Sequence, residues 1–499
     1  MGSNSPWPLQ PKWFPRADQI VCATLSFGLL GAAKGLDEGL IATTVNLPAF
    51  IHEYDLQSSS VGSSEAANRL SIIVSSVHLG SLPGAWIAYL SSDRIGPLWT
   101  LRQLCLLWII GVIIVITSAG SSASLIAGRF VMGMGIGQAS IVGPTYLAEV
   151  ASARHRGLLV GMFSASEYIG IVLGYFAGYG GSIHQSDQSS QQWILPQSSH
   201  IILAGPLLLV SLGCVDSPRY WCKIQRPNQA AHALGRLRRR SSQDSEIVHE
   251  IQLIQNHVAV DQSGPQQTGF LVPWKILFGK AVNRSRMLFL LSAQLLSQWS
   301  GTNAITTYAP KFFALLGISG NSEELLTTGI FGTVKLVAAL ACSVFFIDRI
   351  GRKRTLVSGI AIQFLALLYI SIYLTVASTE QSSTLSGDLH RASLGAIVCV
   401  YLTGIGYAFG WNCVQYILNA EILPSPVRTL GTSILMCIHY ANRFALTKSV
   451  PSMMLDDALQ PKGTFWFFTA MALLGLLWAV VLLPETSNRQ LEESSEVLA

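Results

Sequence analysis

What most constrains this chain is a succession of apolar runs, each long enough to cross a bilayer as a helix. They fall near 19–43, 70–91, 101–120, 123–146, 157–180, 198–215, 287–316, 325–347, 355–377, 393–420, 430–454 and 464–483. A spanning helix needs roughly 20 apolar residues, and it succeeds in lipid because all its backbone hydrogen bonds close within the segment. Twelve such runs predict an all-α membrane protein. Composition agrees: 12% of the 499 residues are charged, against about 25% in soluble domains, and the mean hydropathy is +0.44. A soluble globular enzyme is disfavoured.

The longest polar interruption, about 216–286, divides the runs six and six. It holds eleven Lys/Arg, Arg236, Arg238, Arg239 and Arg240 among them, against five acids. The short loops alternate in charge. Arg94 and Arg102, Arg154 and Arg156, the stretch Arg349 to Arg354, and Arg428 fall on one side. Glu53, Asp55, Glu65, Asp187, Glu323, Glu324, Glu380, Asp388, Asp456 and Asp457 fall on the other. Basic loops mark the cytoplasmic face, so both termini are expected there. The expected organisation is a cytoplasmic tail (1–18), a six-helix half (19–215), a cytoplasmic helical linker domain (216–286), a second six-helix half (287–483) and a cytoplasmic tail (484–499). Within the linker, Ile247, Ile251 and Ile254 follow a helical period from Glu246 to His257. The first 18 residues lack the apolar core of a cleavable leader, so the first span is expected to act as its own insertion signal.

Seven of the eight cysteines lie within apolar runs and the eighth, Cys222, just outside one. None has metal-ligand spacing, and small apolar filler is the better reading. We expect no metal and no cofactor. No nucleophile–base set or phosphate loop stands out, and the +5 net charge is spread along the chain, giving no footprint for nucleic acid.

The two halves echo each other. Asp93-Arg94-Ile95-Gly96 follows the second run, and Asp348-Arg349-Ile350-Gly351-Arg352-Lys353 follows the eighth. Glu149 precedes Arg156 by seven positions at the end of the fourth run, and Glu421 precedes Arg428 by seven at the end of the tenth. Such paired halves commonly enclose a substrate site near the bilayer midplane.

At these residues the chain resembles the sugar porter branch of the major facilitator superfamily, over roughly residues 20–493. Gly128-Arg129-Phe130 with Gly133, Gly135 and Gly137 resembles the family's fourth span, continued by Pro144, Tyr146, Glu149, Arg156 and Gly157. Asp216 to Tyr220 resembles its Pro-Glu-Ser-Pro-Arg motif, and Gln298, Gly301 and Asn303 its Gln-Gln-x-x-Gly-x-Asn run. Asp348 to Lys353 resembles its charged loop, and Pro484-Glu485-Thr486 its C-terminal signature. The chain departs from the pattern at Pro97, where an arginine is usual, at Ser297, where a glutamine is usual, and at Thr307, which precedes Tyr308 in place of a tyrosine pair. The Pro-x-x-Trp motif near Glu421 is also missing. Gln415–Glu421 and His439–Pro451 look most similar to a fungal group that includes quinate and galacturonate permeases.

The resemblance implies two pseudo-symmetric six-helix halves that bind a sugar or sugar-derived acid by alternating access. It implies that Asp37 carries the coupling proton and pairs with Arg129. A static buried ion pair fits the same residues. It implies that Asp93, Arg94, Glu149, Arg156, Asp348, Arg349, Arg352, Glu421 and Arg428 form a cytoplasmic gate. Helix capping and positive-inside anchoring would also account for them. Gln298, Asn303 and Asn412 offer the two-sided amide partners that hydroxylated ligands need, although buried amides also join helices. Trp299 and Tyr308 suit either ring stacking or packing.

Read from the residues alone, Lys335 is the unusual feature. It lies midway through an apolar run, and Glu323 and Glu324 are more than two helical turns away. A central lysine without a local acid invites a carboxylate on the substrate. The alternatives are an acid on another helix, such as Glu167, for which Arg443 is a competing partner, or deprotonation by burial; Lys448 can snorkel, and His78 suits packing. The expected partners are a small sugar or sugar acid, protons and the lipid bilayer, with the chain a monomer in the plasma membrane. The competing functions are an uncoupled hexose facilitator and a non-transporting nutrient sensor.

Overall fold

Every regular element of the described residues is helical. The computed structural model describes residues 19–56, 63–151, 156–262, 272–346, 349–379, 387–423 and 425–483. The first half comprises α1 (Gln19–Gly28), α2 (Leu30–Thr44), a short α3 (Pro48–Glu53), α4 (Ser63–Ile95), α5 (Pro97–Ile116), α6 (Ser122–Val150), α7 (Arg156–His184) and α8 (Gln191–Ser211). Four short helices follow: α9 (Pro218–Lys223), α10 (Pro227–Arg238), α11 (Ser245–Gln262) and α12 (Val272–Gly279). The second half comprises α13 (Ala281–Trp299), α14 (Thr302–Thr307), α15 (Ala309–Leu315), α16 (Asn321–Ala341), α17 (Arg352–Thr379), α18 (Gly387–Tyr407), α19 (Cys413–Ile422), α20 (Ser425–Met453) and α21 (Gln460–Leu482).

Among the described residues, ten helices are long and apolar enough to cross a membrane. Two more expected runs are helical, one broken and one richer in charge. Residues 287–316 are divided where Gly301 takes φ +88°, a left-handed conformation that favours glycine. A side chain there would also strike the Phe468 ring. The other, α20, carries Arg428, Arg443 and Lys448, which lower its hydropathy. Two π-helical segments, Cys342–Phe346 and Ala408–Asn412, interrupt the second half. Such bulges are rare and concentrate at functional sites.

Lipid-like surroundings supply no hydrophobic drive between helices, so close packing through small residues takes its place. Gly31, Gly35 and Gly39 of α2 lie directly against the backbone carbonyls of Phe163, Glu167 and Ile171 of α7. Gly170 and Gly174 return the contact onto Ala32 and Leu36. The same device joins α4 to α6, where Gly80 and Gly84 meet Phe130 and Met134.

The helices between the halves have their own small apolar cluster of Cys222, Ala230, Leu234, Ile247 and Ile251. The isoleucine period seen in the sequence is thus the buried face of α11. Arg238 Nη2 donates to Glu250 at 3.0 Å, and Arg240 meets Glu246 at 2.7 Å.

Asp216 begins this region. Its Oδ1 accepts hydrogen bonds from the backbone N–H groups of Ser217 and Leu98, at 3.0 and 3.3 Å. Burial outweighs these bonds and pushes the carboxyl up to about 7. Because the folded value is raised, the stability contributed by the protonated form is fully present below the ordinary value of 3.8 and is lost as pH rises through about 7. Asp216→Asn is therefore expected to flatten the fall in thermal stability between about pH 4 and pH 7. Melting the purified protein in detergent across that range checks this; an unchanged slope would mean that Asp216 does not set it.

Candidate functional site

Three ionisable residues of α2 leave one apolar helix in three directions. Lys34, Asp37 and Glu38 are all buried. Asp37 accepts from Arg129 of α6 through both guanidinium arms, Nη1 to Oδ1 at 3.1 Å and Nη2 to Oδ2 at 3.4 Å. Arg129 also donates Nε to the carbonyl of Ile73 and Nη2 to that of Val74. Its fork is thus engaged on every nitrogen. The side chains are 1% and 3% exposed. Removing one partner of such a pair typically costs about 3–5 kcal/mol, since the other charge stays buried and uncompensated.

Lys34 pairs with Glu167 of α7 at 2.8 Å and donates to the Tyr416 hydroxyl of α19 at 3.3 Å. Glu38 pairs with Arg443 of α20 at 2.7 Å. These contacts correct two pairings considered from the sequence: Glu167 joins neither Arg443 nor Lys335. The close packing of α2 on α7 explains the outcome, because Gly35 sets the Glu167 backbone against α2, beside Lys34. The Lys34–Tyr416 and Glu38–Arg443 contacts both bridge the two halves.

Lys335 of α16 is 2% exposed. Its Nζ donates to Thr306 Oγ1 at 2.6 Å and lies over the rings of Tyr168 and Phe331, at 4.9 and 5.2 Å from their centroids. Among the described residues no carboxylate lies within ion-pair distance of it. The break at Gly301 brings Gln298 and Asn303 together, with Asn303 Nδ2 donating to Gln298 Oε1 at 2.7 Å and to the Tyr407 hydroxyl at 3.0 Å. Gln298 Nε2 lies 3.1 Å from His439 Nδ1. Gln294, Gln415 and Ser297 extend the cluster. Asn412 instead reaches across the halves, donating to the Ser164 carbonyl at 3.3 Å. Trp299 is occupied by Asn442 and Phe467, and the Tyr308 hydroxyl donates to the Thr447 carbonyl.

The charged loop residues are less concentrated. Asp93 pairs with Lys223 of α9 at 2.8 Å, and Glu149 accepts from the Ser217 hydroxyl. The Arg94 carbonyl accepts from the Tyr220 hydroxyl. These contacts tie the first half to the segment that follows it. Arg428 donates to the Leu423 carbonyl at 3.2 Å, Arg352 is buried and Arg349 is exposed. Asp348 lies outside the described residues, as do the side chains of Arg156 and Glu421.

Sequence reasoning missed Glu38, Gln294, Tyr407 and His439 as members of the site, and left Arg443 with the wrong partner. One signal was available. Lys34 and Glu38, like His439 and Arg443, are four residues apart on a helix, so each pair shares a face.

Multiple spanning helices around a buried polar interior between two halves define an integral, multi-pass membrane protein of transporter type. The family described as "Sugar (and other) transporter" matches residues 21–498, and the chain belongs to that family. The quinate permease of Neurospora africana is 30% identical over 470 residues, covering 93% of this chain and 86% of that protein. The quinate permease of Emericella nidulans is 29% identical over 468 residues, covering 92% and 84%. Among solved structures, the proton:xylose symporter XylE bound to 6-bromo-6-deoxy-D-glucose superposes with a TM-score of 0.82 at 21% identity, covering 97% of this chain and all of that one. The inward-open form of the xylose transporter XylE from E. coli gives 0.73 at 20% identity, over 96% and 99%. The chain thus has the major facilitator fold, and its relatives are transporters, not enzymes.

Proposed function

We propose that this protein is a proton-coupled symporter of a hydroxylated ring acid, quinate- or galacturonate-like, working by alternating access across twelve spans. The observation that carries the coupling is the Asp37–Arg129 pair, closed to water and made by a bidentate fork. Protonating Asp37 trades an ion pair for a neutral acid beside an unpaired guanidinium. That change in local energy can bias two access states whose surroundings differ at this point. The names of the relatives, quinate permeases and a proton:xylose symporter, agree with this reading.

Lys335 supports the acidic substrate. Its ammonium is held by a hydroxyl and two aromatic faces, which leaves a carboxylate the natural counter-ion. Gln298 and Asn303 would receive ring hydroxyls, and Asn412 would join the halves around the ligand. The charged loops, with 216–286 as a cytoplasmic domain and both termini on the same side, would form the inner gate.

Uptake by purified protein in liposomes tests this, with labelled quinate, galacturonate, hexoses and pentoses, with and without an inward proton gradient. Lys335→Met is expected to raise the KM for the acid at least ~10-fold and to spare neutral sugars. Good hexose transport with no competition from acids would overturn the substrate reading.

A further inference from the structure

Two buried arginines face the centre of this protein, and they differ in how fully they are used. Arg129 spends every nitrogen on Asp37 and the carbonyls of α4. Arg443 is equally buried, at 1% exposed, but among the described residues its one ion pair is with Glu38, and that contact lacks hydrogen-bond alignment. Its Nε and Nη2 have no hydrogen-bond partner among the described residues, and neither do Glu38 Oε1, Glu167 Oε2, His439 Nε2 and Gln294 Nε2. Unpartnered buried donors and acceptors are costly, so this group is suited to a polar ligand.

The surrounding charge says which. Lys34, Arg129, Lys335 and Arg443 stand against Asp37, Glu38 and Glu167, four buried bases to three buried acids. Counted formally, the bases of this group outnumber its acids by one. His439 and Arg443 share one face of α20, so a ligand lying along that face meets a guanidinium at one end and an imidazole and amides at the other.

We propose that Arg443 is a specificity-determining residue that grips the substrate's carboxylate, and that Glu38 is the internal carboxylate it displaces. In the ligand-free protein Glu38 keeps Arg443 paired. When the substrate enters, its carboxylate takes the bidentate geometry that Glu38 leaves unused, with Lys335 as the second cation, while its hydroxyls engage His439 and Gln294. Because Glu38 belongs to the first half and Arg443 to the second, the exchange also releases one tie between the halves. This deepens the acidic-substrate reading and rests on it.

Equilibrium binding to the purified full-length protein separates the two. The probes are quinate with its methyl ester, which keeps the hydroxyls and removes the charge, and galacturonate with galactose. The parent is expected to prefer quinate. Glu38→Gln removes the competitor and should tighten quinate about 10-fold while leaving the ester unchanged. Adding Arg443→Gln in that background leaves no lone carboxylate at the pair; it should weaken quinate about 100-fold and the ester less than about 2-fold. The double variant replaces both charges, and its melting temperature is measured alongside to check that it folds. If Glu38→Gln weakens both probes alike, the pair is only structural and the inference fails while the acid reading stands. If the parent prefers neither quinate to its ester nor galacturonate to galactose, the acid reading fails and this inference with it.

Discussion

Liposomes containing the Asp37→Asn protein are expected to exchange labelled substrate freely yet to build no concentration gradient when an inward proton gradient is imposed. For one proton per substrate, one pH unit can drive about a tenfold accumulation ratio in the parent; in the variant the ratio should stay near one. The asparagine imitates the protonated carboxyl in size and charge, so the site need not lose its ligand. It leaves Arg129 without its counter-ion but still bonded to the carbonyls of Ile73 and Val74, which is why exchange can survive. Arg129→Leu should be worse, because it buries a bare carboxylate. Accumulation by Asp37→Asn equal to that of the parent would move the proton carrier elsewhere, and Glu167, which pairs with Lys34, would be examined next.

The second large effect is expected at Gly35. A side chain there would begin 1.7 Å from the Glu167 carbonyl oxygen. That neighbour is backbone, so the two helices must move apart. Gly35→Val should lower stability by about 3 kcal/mol or more and disturb the Lys34–Glu167 pair at the same contact. Gly180→Ala is the control, since nothing lies within 4 Å of the added carbon, and it should melt at or slightly above the parent temperature. Fluorescence-detected melting in detergent reads both. Gly35→Val melting with the parent would mean that α2 and α7 are not so closely packed.

Much of the site could be read locally. Gln298, Gly301 and Asn303 lie within six residues, and the same short stretch makes the break that lets the two amides bond to each other. Lys335 was conspicuous because an apolar helix has no room for an unexplained charge. The partners of Arg443 and Glu167 were not legible, because each charge had several opposite charges in other apolar runs. Spacing along one helix cannot choose among acids on others.

The sequence by itself determined the membrane class, the two-halved architecture and the stock of buried charges, because span length and hydropathy are properties of contiguous residues and an unsolvated backbone in lipid has little option but to be helical. Only the tertiary structure decided which charge meets which. Lys34 and Glu167 are 133 positions apart, and Glu38 and Arg443 are 405 apart. Their meeting depends on glycine faces that let α2 lie against α7 and on the rotation that turns one face of α20 towards the first half. A shift of one residue turns a helix by about 100°, enough to exchange one partner for another, so the pairing is set by packing and not by the pattern along the chain.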